Sequence, residues 1–509
     1  MSRSASILCT GLAAASLAAA ASPAPMAGKT IGPIVHFSKS YDTGVRFRFS
    51  AYLSGQAPVK GGALYLILES DASRMAATCE AICRDGVCPD GLFVFIYSGI
   101  QPSVHEGLAE RSMRAVEFDE YGPEFIDCII DELIPHAAAE FGVEPSADPE
   151  MHFVTGSSSG GLLAWNALWF RNDYFRRGWL SSPTFSAMRG GEEPMFIVRR
   201  AEPRPMRLYM TCGTNEPDYF FGDSFYAACN AQSAFACAGY DCKFEFYPNG
   251  NHSHRYLEPA LLRKVMAHLW QGWREGRPTV KAPGSVRYRT LVGGLSSWER
   301  TDEAMPARNR RALPSPYGEY TFEGGKIFLT AADGQKHLCA DDLEEITAIA
   351  LSVTQEQLYV ADARRRFVYA YKLDKDGAFI GCHKHAPLCL AHDCRLLGAA
   401  DLCVGKDDRL FAATELGVQA ICSFGLADVI LPLPKDAPAV QVALKGGLLY
   451  ATDGTAVYRR PLASSGESAS TSAPTDAATP GYSDGFDYSR KHFDSLMAPL
   501  SIDTPLEEY

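Results

Sequence analysis

The 509-residue sequence has no C-x-x-C pair, no apolar run of membrane-spanning length beyond its leader, and no excess of basic charge. The first absence removes the commonest zinc-ribbon and thioredoxin-like signatures. The second leaves no candidate membrane span. The third, 48 Lys+Arg against 60 Asp+Glu for a net charge of -12, opposes non-specific attraction to nucleic acid or anionic lipid, so neither is an expected partner. Fifteen cysteines are too few for a disulfide miniprotein of this length and too many to ignore. Cys79, Cys83 and Cys88 read as one loop cluster in which a disulfide is expected if the chain is exported. Cys382, Cys389 and Cys394 lie near His383, His385 and His392 but lack the paired spacing of a zinc site. No metal and no cofactor is expected.

What is present is length and order. The chain exceeds what a single core organises, so at least two domains are expected. Arg3, the apolar run Ile7 to Ala21 and the following Ser22-Pro-Ala-Pro have the pattern of a secretory signal over 1–25, which implies export to a periplasmic or extracellular location. Over 30–280, short apolar runs alternate with helical patterns, which predicts an α/β domain with a mainly parallel sheet. Candidate strands are Gly62 to Glu69, Gly91 to Ser98, Met151 to Thr155, Trp179 to Ser182, Met206 to Thr211 and Cys242 to Tyr247. Candidate helices are Glu124 to Phe141, Phe225 to Ala238 and Leu257 to Trp273.

Over 286–462 a strand phrase recurs: Lys326-Ile-Phe-Leu-Thr, Gln357-Leu-Tyr-Val-Ala-Asp, Arg409-Leu-Phe-Ala-Ala-Thr and Leu448-Leu-Tyr-Ala-Thr-Asp. That repeat predicts a second, all-β, propeller-like domain. The stretch 463–509 is rich in Ser, Thr, Ala, Asp and Pro and reads as a disordered tail with an aromatic patch at Tyr482 to Phe493.

The chemistry concentrates after Met151 to Thr155, where Gly156-Ser157-Ser158-Ser159-Gly160-Gly161 leads into a helical run. In a chain with 44 Gly the bare G-x-S-x-G pattern has little weight. Between an apolar strand and a helix it reads as a nucleophile elbow, with small residues allowing the sharp turn, Ser158 projecting from the sheet and the Ser159 amide aimed at a developing oxyanion. A nucleophilic serine needs a base, and the base needs a carboxylate to fix its tautomer. Glu216 and Asp218 follow one predicted strand, His252 and His254 the next, and Glu216 and His252 are the preferred pair. The second oxyanion amide is expected after Gly62 to Glu69, at Ser70 or Asp71, with Asp71 preferred.

These motifs, together with Arg189-Gly-Gly-Glu, Arg200-Ala-Glu-Pro-Arg-Pro-Met, Gly213-Thr-Asn-Glu, Ala238-Gly-Tyr-Asp and Gly250-Asn-His-Ser, make the first part resemble the esterase family that includes enterochelin esterases, esterase D and feruloyl esterase domains. The resemblance implies an α/β-hydrolase fold with Ser158, Glu216 and His252 as its triad. The second part resembles an SMP-30/gluconolactonase-like propeller at Ile349-Ala-Leu-Ser, Leu358-Tyr-Val-Ala-Asp, Glu415-Leu-Gly-Val-Gln and Val457-Tyr-Arg-Arg-Pro-Leu. Of that family's metal ligands Asp401 alone matches, Thr347 standing where an Asn is usual, which implies a propeller region without lactonase chemistry.

The leading expectation is a serine esterase acting on a small-molecule or glycan-linked ester, the resemblance pointing to carbohydrate-linked, aromatic or siderophore esters. Two other readings compete: a slow hydrolase-fold binding protein that uses the propeller region for recognition, and a metal-dependent lactonase.

Overall fold

The computed structural model describes residues 28–279, 281–293 and 297–463. The expected signal peptide over 1–25 lies outside the described residues, as do 464–509 of the expected tail with its aromatic patch.

The main sheet has eleven strands, three of them only two residues long; the eight longer ones are β1 (Lys29–Phe37), β2 (Arg46–Leu53), β3 (Lys60–Leu68), β4 (Gly91–Ile96), β5 (His152–Ser157), β6 (Arg177–Ser181), β7 (Arg207–Asn215) and β8 (Asp241–Asn251). Their spatial order is β1-β2-β4-β3-β5-β6-β7-β8. β3 to β8 pair in parallel, whereas β1 and β2 form an antiparallel edge. The central strands read as unbroken apolar runs because both faces are covered. Leu64, Leu66 and Leu68 of β3 enter one core, and Ala63, Tyr65 and Ile67 enter the other. Helices α1 (Ala72–Arg84) and α4 (Pro259–Leu269) pack on the second face, α2 (Ser159–Phe170) and α3 (Ser224–Ala238) on the first.

Three expectations change here. Cys79 and Cys83 stand on α1 rather than in a loop; the helix buries Ala72, Met75, Cys79, Ile82 and Cys83 as one stripe and is capped by the Asp71 carboxylate on the Ser73 amide. The thiols of Cys83 and Cys88 face each other at 3.8 Å and are unbonded. The single helix expected over Glu124 to Phe141 is broken into Glu124–Cys128, a π turn at Ile129–Leu133 and Ile134–Phe141. Pro135 explains the break, since it has no amide to donate and its ring crowds the preceding turn.

The π turn carries Glu132, which fastens the β1–β2 connection. Its carboxylate accepts hydrogen bonds from His36 Nε2 (2.7 Å), the Ser40 amide (2.9 Å) and hydroxyl (2.5 Å), and the Lys39 amide (3.0 Å). Burial alone would raise its pKa, but these bonds hold it down at about 2. A depressed carboxyl stabilises the fold above its unfolded value and loses that contribution as pH falls through the folded one. Glu132→Gln is therefore expected to cost about 1–3 kcal/mol at pH 7. In urea titrations the gap from the unsubstituted protein should narrow as pH falls from ~4 towards ~2.

The second region is four antiparallel sheets of four strands each, in a propeller-like arrangement. Each recurring strand phrase falls in a different sheet: Lys326–Thr330, Gln357–Asp362, Leu410–Thr414 and Leu448–Thr452. The first strand, Glu299–Thr301, pairs with the last, Val457–Pro461, as the outer strand of the final sheet, so the two ends of the region are fastened together. Helix Val286–Val292 packs Tyr288, Leu291 and Val292 into the core of this region.

The two regions are tied by Arg204 to Asp436 (2.5 Å), Arg460 to Glu202 (3.3 Å), Arg200 Nε to the Ala427 carbonyl (3.0 Å) and a β-bridge between Ala201 and Ile430.

Candidate active site

β5 ends at Ser157, and the next residue, Ser158, takes φ 57° and ψ -125° before α2 begins at Ser159. That conformation is strained for any residue with a Cβ, at a cost of about 1–3 kcal/mol. The turn needs glycine at its flank, since a Cβ on Gly156 would stand 2.0 Å from the Gly160 carbonyl oxygen. Of the three consecutive serines, Ser157 and Ser159 are buried and Ser158 is the one that reaches solvent. Neighbouring strands hold the turn, with the Ser158 amide donating to the Ser181 carbonyl (3.0 Å) and the Thr184 amide donating to the Ser158 carbonyl (3.1 Å).

Glu216 follows β7 and His252 follows β8, both at the carboxyl edge shared with Ser158. Nδ1 of His252 donates to Oε2 of Glu216. The Glu216 carboxylate is fully buried, whereas the imidazole is 29% exposed. Glu216 Oε1 accepts from the Ser182 hydroxyl (2.6 Å) and the Gly213 amide (3.1 Å). Burial pushes this carboxyl up, yet the His252 hydrogen bond, the Ser182 hydroxyl, the His252 charge and the Gly213 amide outweigh it and hold the pKa below the ordinary value. An ionised acceptor of this kind fixes an imidazole with its proton on Nδ1 and its Nε2 free to act as a base.

The Ser158 and His252 turns are joined through their sequence neighbours. The Ser157 hydroxyl donates to that of Ser253 (2.5 Å), and the Ser253 amide donates to Ser182 Oγ (3.1 Å). Ser182 thus touches both the carboxylate and the histidine loop. Sequence reasoning missed it, although its place right after β6 is a visible signal.

The alternative candidates fall elsewhere. Asp218 is exposed in a two-residue strand paired with Gly222–Asp223, and the His254 ring lies tilted against that of Tyr247, centre to centre 5.2 Å. Asp71 caps α1 while accepting from the Ser50 hydroxyl (3.2 Å), and Ser70 beside it is buried. The Ser159 amide opens α2 and so belongs to the first-turn donors that a helix leaves unpaired.

A second group missed in the sequence flanks the elbow. Arg114 donates to Glu69 (2.6 and 2.8 Å) and to the Ser159 hydroxyl (2.9 Å). Burial raises the nearby Asp119 carboxyl, with Ser159 and Arg114 opposing that shift. The two tryptophans of α2, Trp165 and Trp169, are core residues. Tyr219 and Phe220 instead form an exposed tip three and four residues beyond Glu216, Phe220 being 101% exposed.

In the second region Asp401 is engaged on both carboxylate oxygens, by Arg308 and the Leu402 amide (3.0 Å) on one and by the Val442 amide (3.0 Å) on the other. The Thr347 hydroxyl donates to the Ala399 carbonyl (2.5 Å). One carboxylate bearing a guanidinium does not fit a hard dication, which takes six to eight oxygen ligands. Among the described residues no group of three His, Cys, Asp or Glu side chains is placed to hold a metal ion, and no helix is long and apolar enough to cross a membrane.

No family profile and no curated protein matches the chain. Among solved structures it is similar to a ferulic acid esterase at 16% identity and TM-score 0.36, covering 47% of this chain and 98% of that one. It is similar to an enterobactin esterase from Shigella flexneri at 14% identity and TM-score 0.37, covering 49% of this chain and 61% of the other. A gluconolactonase from Xanthomonas campestris is similar at 21% identity and TM-score 0.23, over 27% of this chain and 44% of its own.

Proposed function

We propose that the protein is an exported serine esterase of the α/β-hydrolase fold, with Ser158 as nucleophile, His252 as base and then acid, and Glu216 as the group that orients His252. The observation that supports this most is the strained elbow at Ser158, on the same sheet edge as a buried, ionised Glu216 bonded to His252. Proton transfer from Ser158 to His252 Nε2 lets the serine oxygen attack an ester carbonyl. The negative charge that develops falls to the amides of Ser159 and Asp71. Collapse returns the proton to the leaving alcohol, and water repeats the sequence on the acyl-enzyme.

Such an intermediate has a kinetic signature. With p-nitrophenyl acetate the full chain should release a burst of p-nitrophenolate equal to the enzyme concentration, followed by a slower steady rate. Linear release from the first turnover, at a rate unchanged by adding denatured protein in place of native, would contradict the proposal.

The substrate class proposed is an ester with an aromatic acyl group or a carbohydrate alcohol. The exposed Tyr219–Phe220 tip beside Glu216 supports the aromatic part. Phe220→Ala is expected to raise KM for a feruloyl ester about tenfold, equivalent to ~1.4 kcal/mol of lost contact, and to leave KM for an acetyl ester unchanged. Equal effects on both esters in steady-state assays would remove the tip from substrate recognition.

A further inference from the structure

A cavity of about 920 Å³ opens where the two regions meet. That is within the ~300–1,000 Å³ typical of ligand sites, which favour domain interfaces. It is remote from the elbow: α2 starts beside Ser158 and reaches the cavity at Trp169 and Phe170, eleven residues or ~16 Å along the helix.

Its walls contain polar groups with nothing to bond to. Tyr121 and Glu193, each more than nine-tenths buried, present an unpartnered hydroxyl and an unpartnered Oε2. Trp298 Nε1, also on the lining, is buried without a hydrogen-bond partner. Buried polar atoms are nearly always paired, so three unpaired atoms around one cavity call for an occupant that both donates and accepts.

Charge narrows the class. Among the described residues, the Arg and Lys groups facing the cavity are committed with one exception: Arg171 bonds to Asp127 (2.6 Å) and Asp173 (3.0 Å), Arg204 to Asp436 (2.5 Å) and Lys281 to Glu202 (3.6 Å), while Lys435 stands exposed at the rim without an ion pair. Among the described lining residues an anion would find a free cation at the rim alone, not against the buried groups. Burial, then the neighbouring Glu192 and Asp393 carboxylates, push Glu193 up to about 8 against the lowering effect of Arg366, so at neutral pH it is a protonated acid and not a counter-charge for a cation. A neutral ligand rich in hydroxyl groups satisfies donors and acceptors alike, Trp298 adding its indole N–H as a donor beside the Arg460 guanidinium that lies 5.2 Å from its ring centre.

We propose that this interdomain cavity binds a neutral oligosaccharide, as a site separate from Ser158. Isothermal titration of the full chain with xylotriose, cellotriose, a glucosamine trimer and a galacturonic acid trimer tests it. At least one neutral trisaccharide should bind saturably, one per chain. Tyr121→Phe and Glu193→Ala should each weaken binding at least ~10-fold, and Glu193→Gln, which keeps a neutral hydrogen-bonding group, should retain most of it. The p-nitrophenolate burst should persist in all three variants, which separates this outcome from the fate of the esterase proposal. Failure of both neutral trimers to bind at about 10 mM, binding of a charged trimer alone, or neutral binding unaffected by Tyr121→Phe and Glu193→Ala would each overturn it.

Discussion

Ser158→Ala should lower kcat for ester hydrolysis by about 10⁴–10⁶-fold while leaving a folded protein. The neighbouring serines should not behave alike, because their hydroxyls are already committed: Ser157 to Ser253 and Ser159 to Arg114. Ser157→Ala and Ser159→Ala should therefore perturb the positions of the His252 loop and of the first α2 amide without removing the attacking atom, a loss nearer ~10-fold than ~10⁴-fold. Stability gives an independent reading. At φ 57° and ψ -125° an alanine inherits the strain of Ser158, whereas glycine occupies the mirror image of an ordinary extended conformation. Ser158→Gly should be inactive yet more stable by about 1–2 kcal/mol, checked by thermal unfolding. Activity lost together with stability gained is the behaviour of a residue held in strain for its chemistry.

The second large effect is expected at Glu216. Its two oxygens accept from His252, Ser182 and Gly213 inside a fully buried pocket. Glu216→Gln conserves shape but replaces one acceptor oxygen by an NH₂ group. The Gly213 amide, a fixed donor, keeps the carbonyl oxygen on the Ser182 side, so the NH₂ faces His252 Nδ1 and the imidazole is driven towards the wrong tautomer. The expected loss in kcat is about 10³–10⁴-fold, with KM changed little. The sign of the pH effect follows from the depressed Glu216 carboxyl. It stays ionised above the usual carboxylate range, so its contribution to stability is present at neutral pH and is lost as pH falls below about 4.3 and through the folded value. The activity of the unsubstituted enzyme should accordingly show no loss from Glu216 protonation above about pH 4.3. A limb that Glu216→Gln removes at higher pH would mean that the carboxylate is not held ionised as its partners imply.

How far the sequence foretold this molecule depends on how local each cause is. The elbow was legible because its geometry is written within a few residues: Gly156 must lack a Cβ to pass the Gly160 carbonyl, and the strand before and helix after are strong patterns. β3, β4 and β5 were legible because strands covered on both faces become continuous apolar runs. Helix α1 was missed although its buried stripe Ala72, Met75, Cys79, Ile82 and Cys83 has helical spacing; attention to the cysteines as a cluster hid that period. The π turn was readable in hindsight from Pro135. Arg114 was not readable at all and Ser182 only by its place at the end of a predicted strand, since each acts through residues 34 to 71 positions away that only the strand order brings together. The interdomain cavity is less local still, its lining running from Tyr121 to Asp436.

The most direct test of the central proposal is labelling of the full chain with a fluorophosphonate, followed by peptide mapping by mass spectrometry. The expected result is one phosphonylated residue per chain, at Ser158, that disappears in Ser158→Ala and slows by orders of magnitude in Glu216→Gln. Label at another serine, or none on a protein that still unfolds cooperatively, would contradict the assignment of Ser158 as an activated nucleophile.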